Sequence, residues 1–256
     1  MKPLDTQSVN IKILRSTLFS PHKNIRFGMS TRCGGVSPPP YNLNMSFKVG
    51  DEKERVLQNR QRFFGQLGIS TDRLAIPNQV HGSEVIKVSS PGIYDACDGL
   101  ITSFVNVFLT VTVADCVPVF IFDPDRNAVA VVHAGWRGSK AGIVKNAISS
   151  MVREFGTVTS VLLAYVGPSA GVCCYEIGND IAEQFDEMYI VRRAGRNPHL
   201  DMRAIQMDDL LDAGVKMNNI EMSHYCTICA PDLLHSYRLY GRQSGRMMGV
   251  LGLIQV

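Results

Sequence analysis

Apolar positions along this chain repeat at two different periods, and the period changes with the region. After Asp51, Val56, Arg60, Phe63 and Leu67 recur at three- to four-residue spacing beside Leu57 and Phe64, which predicts a helix closing at Gly68. Asp51 and Glu54 read as a capping-box variant at its start. From about Ser139 a second helix is expected, with Ile143, Ala147, Met151 and Phe155 in register beside Val144, Ile148 and Val152. Further helices are expected over Asp180–Glu187 and Ala204–Ala213. Between the first two helices the pattern is nearly continuous and β-branched. Val105–Val113, Val117–Phe122 and Ala128–His133 therefore read as strands covered on both faces, and Glu84–Val88 as a further strand. Asp123-Pro124-Asp125-Arg126-Asn127 supplies turn chemistry between the last two strands of that run. Pro38-Pro39-Pro40 reads as a stiff extended loop.

No repeat, linker or low-complexity tract divides the 256 residues. The expected fold class is α+β: a single domain over 25–256 of mixed, layered β-sheet covered by helices, preceded by an N-terminal strand and lead-in over 1–24. Hydrophobic content of 45% against 19% charged residues fits a chain with a substantial core. The net charge of +3 gives no concentrated basic face, so no nucleic acid partner is expected, and Arg192-Arg193-Ala194-Gly195-Arg196 reads as a solvated loop. The longest apolar stretch, Val107 to Phe122, is broken by Asp115 and Pro118, so no membrane span is expected. Seven cysteines in a chain this long do not make a disulfide scaffold, and the N-terminus lacks the apolar run of a secretory signal. A reduced, cytoplasmic protein is the expectation, as monomer or homodimer.

The candidate chemistry sits in three short stretches: Asn78-Gln79-Val80-His81-Gly82, Ala114-Asp115-Cys116-Val117-Pro118-Val119 and Val132-His133-Ala134-Gly135-Trp136-Arg137-Gly138. Each sets one metal-ligating side chain at a strand end or loop. Singly, His81 could be a surface histidine, Cys116 a buried inert thiol and His133 a satisfied core histidine. Jointly they offer two imidazoles and one thiolate, a set that suits zinc and leaves a fourth tetrahedral position for water or substrate. Copper would also bind such a set. The loop after His133 opens a helix, a place where free backbone amides meet anions.

These stretches, in this order, resemble the YfiH family, long called polyphenol oxidases or multicopper-oxidase-like proteins and later purine nucleoside phosphorylases. Thr31-Arg32-Cys33-Gly34-Gly35-Val36-Ser37, Val49-Gly50-Asp51 with Asn59-Arg60, and Gly167-Pro168-Ser169-Ala170-Gly171 with Cys174-Tyr175-Glu176-Ile177-Gly178 are similar to its motifs. So are Cys226-Thr227, Ser236-Tyr237-Arg238 and Gly245-Arg246, and the likeness runs over roughly residues 25 to 253. It implies an α+β fold, zinc on His81, Cys116 and His133, and action on purine nucleosides with phosphate: phosphorolysis of adenosine, inosine, guanosine and methylthioadenosine, and adenosine deamination. Arg32, Asn44, Gln79 and Arg238 stand in matched motifs as candidate substrate contacts, Arg32 suiting an anion or a structural ion pair. Asp115 is a candidate general base or a group orienting its neighbour Cys116. Trp136, the single tryptophan, fits a pocket wall or the core. Two departures stand out. Leu234-His235-Ser236-Tyr237-Arg238-Leu239-Tyr240-Gly241 lacks the second Arg and the Asp usual in the family, and Cys97 replaces the more frequent Ala.

Rival readings are a copper-dependent polyphenol oxidase, a thiol hydrolase using Cys116 with His133 as base, and a non-catalytic metal-binding module. Multicopper chemistry needs more histidine than the six here, which include no His-x-His pair. Cys226-x-x-Cys229 has no second Cys-x-x-Cys to complete a four-cysteine site, and the adjacent Cys173-Cys174 makes an awkward partner. Cys226 and Cys229 are therefore expected to be reduced and metal-free, with Cys226 near the catalytic metal without ligating it.

Overall fold

The structure is a computed structural model and describes residues 11–255. From the N-terminal side it runs through β1 (Ile13–Leu14), β2 (Ile25–Ser30), α1 (Lys53–Gln66), β3 (Leu74–Asn78), β4 (Val85–Lys87), β5 (Gly92–Asp95) and β6 (Gly99–Thr102). The apolar run then gives β7 (Phe108–Val113), β8 (Val117–Asp123) and β9 (Ala128–Ala134), followed by α2 (Trp136–Lys140) and α3 (Ile143–Phe155). The remainder comprises β10 (Leu163–Val166), α4 (Asn179–Ala182), β11 (Ile190–Val191), β12 (His199–Leu200), α5 (Met202–Asp212), β13 (Ile220–Met222), α6 (Tyr237–Tyr240) and β14 (Met247–Leu253).

Two mixed six-stranded sheets result, ordered β1-β2-β14-β7-β3-β5 and β13-β10-β8-β9-β6-β4, with β11 and β12 forming a separate pair. Strand alternation builds the layers. On β8, Val117, Val119 and Ile121 join the core under α3 and α5, whereas Phe120 and Phe122 point into the core between the sheets. On β14, Met247 and Leu251 face that inter-sheet core, and Met248 and Val250 pack with Phe63 and Phe64 of α1. The order of layers is thus helix, sheet, sheet, helices. Gly249 permits this close stacking, since a Cβ there would collide with the Phe120 ring. The expected α+β class and layered mixed sheet hold.

Several boundaries differ from the sequence reading, each for a local reason. The expected capping box does not form, because Asp51 Oδ2 accepts from Ser37 Oγ at 2.7 Å and Asn44 Nδ2 at 3.0 Å, so α1 starts without a side-chain cap. Leu57, expected on the apolar face, is exposed. The helix expected from Ser139 is two helices, interrupted where Gly142 takes φ +67°. The expected Asp180–Glu187 helix shrinks to the single turn of α4, and the strand expected from Val105 begins at Phe108. The lead-in expected over 1–24 lies outside the described residues up to 10; beyond that, Ile13 and Leu14 pair with Ser30 and Met29 in the first sheet.

Candidate metal centre

Alternation along β9 decides where His133 lies. Ala128, Ala130, Val132 and Ala134 face the helices, so His133 shares the opposite face with Val129 and Val131 and is 2% exposed. Antiparallel pairing of Pro118 with His133 brings Cys116, immediately before β8, to the end of β9. His81 arrives on the loop after β3. Two of the turns needed are unusual: Asp115 has φ 89° and His81 φ 60°, left-handed backbone that non-glycine residues adopt at a cost of about 1–3 kcal/mol. Strain of this kind concentrates at functional sites. The ligand atoms of His81, Cys116 and His133 all lie within 4.8 Å of one another, with the imidazole rings 4.8 Å apart at 81°.

Asp98, which the sequence reading did not single out, organises this centre. Register between β6 and β9 pairs Gly99 with Val132, and the His133 N–H donates to the Asp98 carbonyl at 2.7 Å. The Asp98 carboxylate then accepts His133 Nδ1 at 2.6 Å and the backbone N–H groups of Val80 at 3.1 Å, His81 at 3.0 Å and Gly82 at 2.7 Å. Burial alone would raise its pKa; the His133 hydrogen bond and the backbone donors outweigh that and hold it low. One carboxylate therefore orients one candidate ligand and fixes the loop bearing another.

The donor set fits zinc. His133 Nδ1 is committed to Asp98, which leaves Nε2 for a metal, and the Cys116 thiol is drawn to its charged form. Burial raises that thiol's pKa, but His133 and then His81 lower it by more; reciprocally, burial lowers and Cys116 and Asp98 raise the pKa of His133. Gly135 leaves the space open: a Cβ there would sit 3.1 Å from His81 Cδ2 and 3.3 Å from Cys116 Sγ. His81 is exposed and Cys116 half-buried, so the centre opens outward.

It opens onto a cleft of about 350 Å³ whose lining includes His81, Phe47, Lys48, Arg60, Ile93 and Arg246. The other residues singled out by sequence divide. Gln79 also lines the cleft, but its amide is occupied, accepting the Thr112 N–H and donating to the Thr112 carbonyl, both at 2.9 Å, in imitation of a strand. Asn44, expected to touch substrate, has no exposed surface, and its amide binds Ser46, Asp51 and the Arg246 N–H, holding the Arg246 backbone in place. Arg32 donates to the Pro231 carbonyl at 2.5 Å and the Pro40 carbonyl at 3.4 Å and lies 5.4 Å from the centre of the Tyr240 ring. Its guanidinium ties loops together and is absent from the cleft lining, which carries Arg246 instead. Arg238 is exposed, stacked 4.6 Å over Tyr175 and bonded to the Glu176 carbonyl. Both Asp115 oxygens are engaged, by Thr227 Oγ1 at 2.5 Å and the Arg238 N–H at 2.7 Å, which makes it an anchor for the C-terminal segment. Trp136 packs against the core beneath the helices.

Cys226 and Cys229, expected to be reduced and metal-free, do not stand apart from the other cysteines. Two turns bring them to Cys173 and Cys174, and all four Sγ atoms lie within 4.8 Å of one another. The only other such cluster among the described residues is His81, Cys116 and His133, the one cluster there that contains histidine.

Residues 26–254 match the model of a family described as multi-copper polyphenol oxidoreductase laccase. A purine nucleoside phosphorylase of Deinococcus radiodurans is 35% identical, the match covering 92% of each chain. Adenosine deaminase RL5, from an unknown prokaryotic organism, is 33% identical over 80% of this chain and 84% of its own. Among solved structures, Bacillus licheniformis hypothetical protein YfiH superimposes with a TM-score of 0.88 at 27% identity, covering 96% of this chain and 97% of that one. Among the described residues no helix is long and apolar enough to cross a membrane. The match spans nearly the whole chain, and on that ground this protein belongs to the YfiH family of multi-copper polyphenol oxidoreductase laccase-like proteins.

Proposed function

We propose that the protein is a zinc-dependent purine nucleoside phosphorylase acting on adenosine, inosine, guanosine and methylthioadenosine, with adenosine deaminase activity. The observation that carries this reading is that His81 of the His81, Cys116 and His133 cluster lines a cleft that also holds three cationic side chains, Lys48, Arg60 and Arg246. Zinc held by the three ligands supplies Lewis acidity toward the oxygen of an attacking phosphate or water. The names of the relatives, a phosphorylase and a deaminase, fit those two attacking groups.

The remaining work falls to the chain itself. Phe47 and Ile93, 40% and 74% exposed, offer apolar surface for a purine ring. Arg246 reaches the cleft from a backbone fixed by Asn44; its Nη1 donates to the Ser244 and Gly245 carbonyls, which leaves Nη2 and the positive charge for a phosphate oxygen. Lys48, bonded to Asn78 Oδ1, adds a second positive charge. In phosphorolysis a phosphate oxygen forms a bond to ribose C1′ as the C1′–N9 bond breaks. The base departs with the bonding pair and takes up a proton, giving free purine and ribose 1-phosphate. In deamination water adds at purine C6 and ammonia leaves.

Chromatography of products from adenosine and inosine, with and without phosphate, tests the proposal. Base release that rises with phosphate and saturates supports it, and phosphate-indifferent release indicates hydrolysis instead. One other reading has a specific observation behind it: Cys116, His133 and Asp98 form a thiol–imidazole–carboxylate relay of the kind nucleophilic hydrolases use. Hydrolytic activity that survives metal removal and is abolished by alkylating Cys116 would favour that reading.

A further inference from the structure

We propose that Cys173, Cys174, Cys226 and Cys229 form a second, structural zinc site, separate from the centre at His81, Cys116 and His133. Four ligands in a tetrahedron with Zn–S bonds of about 2.3 Å have sulfur–sulfur edges of about 3.8 Å. The Sγ atoms of Cys174 and Cys229 are 3.4 Å apart, those of Cys173 and Cys229 3.7 Å, and all four lie within 4.8 Å of one another. These separations are far beyond a disulfide bond of about 2.05 Å, and all seven cysteines are free.

The backbone resolves the apparent difficulty of adjacent ligands. In extended chain, side chains of neighbouring residues point apart, but Cys173 and Cys174 sit in a tight turn where the N–H groups of Cys174 and Tyr175 both donate to the Gly171 carbonyl at 2.9 Å. The turn lets both sulfurs reach Cys229. On the other side, Cys226-x-x-Cys229 closes a turn of its own, with the Ala230 N–H on the Cys226 carbonyl at 3.1 Å. Cys226 Sγ accepts the Gly171 N–H at 3.3 Å, and the N–H groups of Ile228 and Cys229 also point at it. Such donors stabilise a metal-bound thiolate, which retains negative charge. Zinc with four thiolates carries a net charge of 2−, and the half-buried Arg203 guanidinium lies close enough to Cys226 and Cys173 to interact electrostatically.

Position explains what such an ion would stabilise. The two cysteine turns are joined by the Ser169–Cys226 bridge and by the Thr227 N–H on the Ser169 carbonyl at 3.0 Å. Thr227, between the two Cys-x-x-Cys ligands, is the residue whose hydroxyl holds Asp115, next to Cys116. Metal at the four sulfurs would pin the C-terminal segment to the turn that presents Cys116.

The test uses the full chain, purified under reducing conditions without added metal, and the variant Cys116→Ala, which removes the only thiolate of the other centre. Cys116→Ala is expected to retain one zinc per chain by elemental analysis, and after exchange with Co(II) to show the strong near-ultraviolet thiolate-to-cobalt absorption of a multi-thiolate site. Adding Cys229→Ser is expected to remove that ion and that absorption. Folding of each variant is followed by circular dichroism. Should the double variant not fold, thiol titration of the parent decides: the four cysteines should be protected until a chelator is added. Zinc stoichiometry unchanged by Cys229→Ser, immediate reaction of all four thiols without chelator, or a disulfide within the cluster would each overturn the proposal.

Discussion

Replacing Asp98 with Asn probes the group on which both imidazoles depend. The parent carboxylate is 1% exposed and accepts four N–H donors, two on each oxygen: His133 Nδ1 and the His81 N–H on Oδ1, the Val80 and Gly82 N–H groups on Oδ2. An amide keeps one oxygen and turns an NH2 toward the other pair of donors. At least two charge-assisted bonds, each contributing about 1.5–3 kcal/mol, are lost, and the surviving two weaken with the charge. The expected destabilisation is about 3–6 kcal/mol, a large share of the roughly 5–15 kcal/mol that holds a typical domain. Loss of a ligand-orienting partner typically weakens metal binding by about 10–100-fold.

Two measurements separate these effects: urea unfolding at fixed zinc, and zinc affinity by competition with a chromogenic chelator. Gly249→Ala serves as the control. Its new Cβ meets Phe120 in the inter-sheet core, away from the ligands, and overpacking there should cost about 1–3 kcal/mol with zinc affinity unchanged. Asp98→Asn should lose both stability and affinity. If it binds zinc within twofold of the parent, the argument that Asp98 orients His133 and the His81 loop is wrong.

Other outcomes follow from the same geometry. Gly135→Ala, at an unstrained φ of −77°, should leave the unfolding midpoint nearly unchanged while lowering zinc occupancy, because its Cβ crowds His81 and Cys116; full occupancy by elemental analysis would count against the cradle. Arg246→Gln should raise the phosphate KM by about tenfold, the loss of about 1.4 kcal/mol of binding, whereas Arg32→Gln should mainly lower the melting temperature; steady-state kinetics with varied phosphate distinguishes them. Buried His235, beside Arg32 and Arg246, has its pKa pushed down to about 3, burial being the largest cause, with the two guanidiniums adding to it. Below about pH 6.5 the unfolded chain takes up a proton that the folded chain refuses, so stability falls as pH drops, by about 2 kcal/mol between pH 7.5 and 5. His235→Phe should remove that component of the slope in urea titrations at the two pH values, and an unchanged slope would refute the assignment.

What the sequence makes legible is local. Val117–Phe122 and Ala128–His133 announce buried strands because β-branched runs leave little else, and His133 at the end of such a run already suggests a side chain delivered to a sheet edge. The C-terminal strand Met247–Leu253 escapes the same reading, although it runs through the middle of the first sheet. Its glycines at 249 and 252 break the apolar pattern, and their purpose, admitting Phe120 and Phe108, exists only once the layers are stacked. Asp51 misleads in the opposite way: by position it is a cap, and Ser37 and Asn44 draw it elsewhere.

The centre follows the same division between local and long-range information. Candidate ligands could be picked out because metal chemistry limits them to few residue types, whereas Asp98 sits in Asp95-Ala96-Cys97-Asp98-Gly99, indistinguishable from an ordinary turn. Only the pairing of β6 with β9 places it opposite His133, 35 residues further along the chain. Arg32 and Arg246 show the converse: both guanidiniums donate to loop carbonyls, and only the folded chain reveals that Arg246, unlike Arg32, also lines the cleft. The four cysteines sharpen the point. Spacing rules look for two Cys-x-x-Cys pairs, but tetrahedral coordination requires only four sulfurs at the right separations, and a tight turn at 171–175 satisfies that with adjacent residues. Motif spacing is a proxy for geometry, and it fails where a turn supplies the geometry by another route.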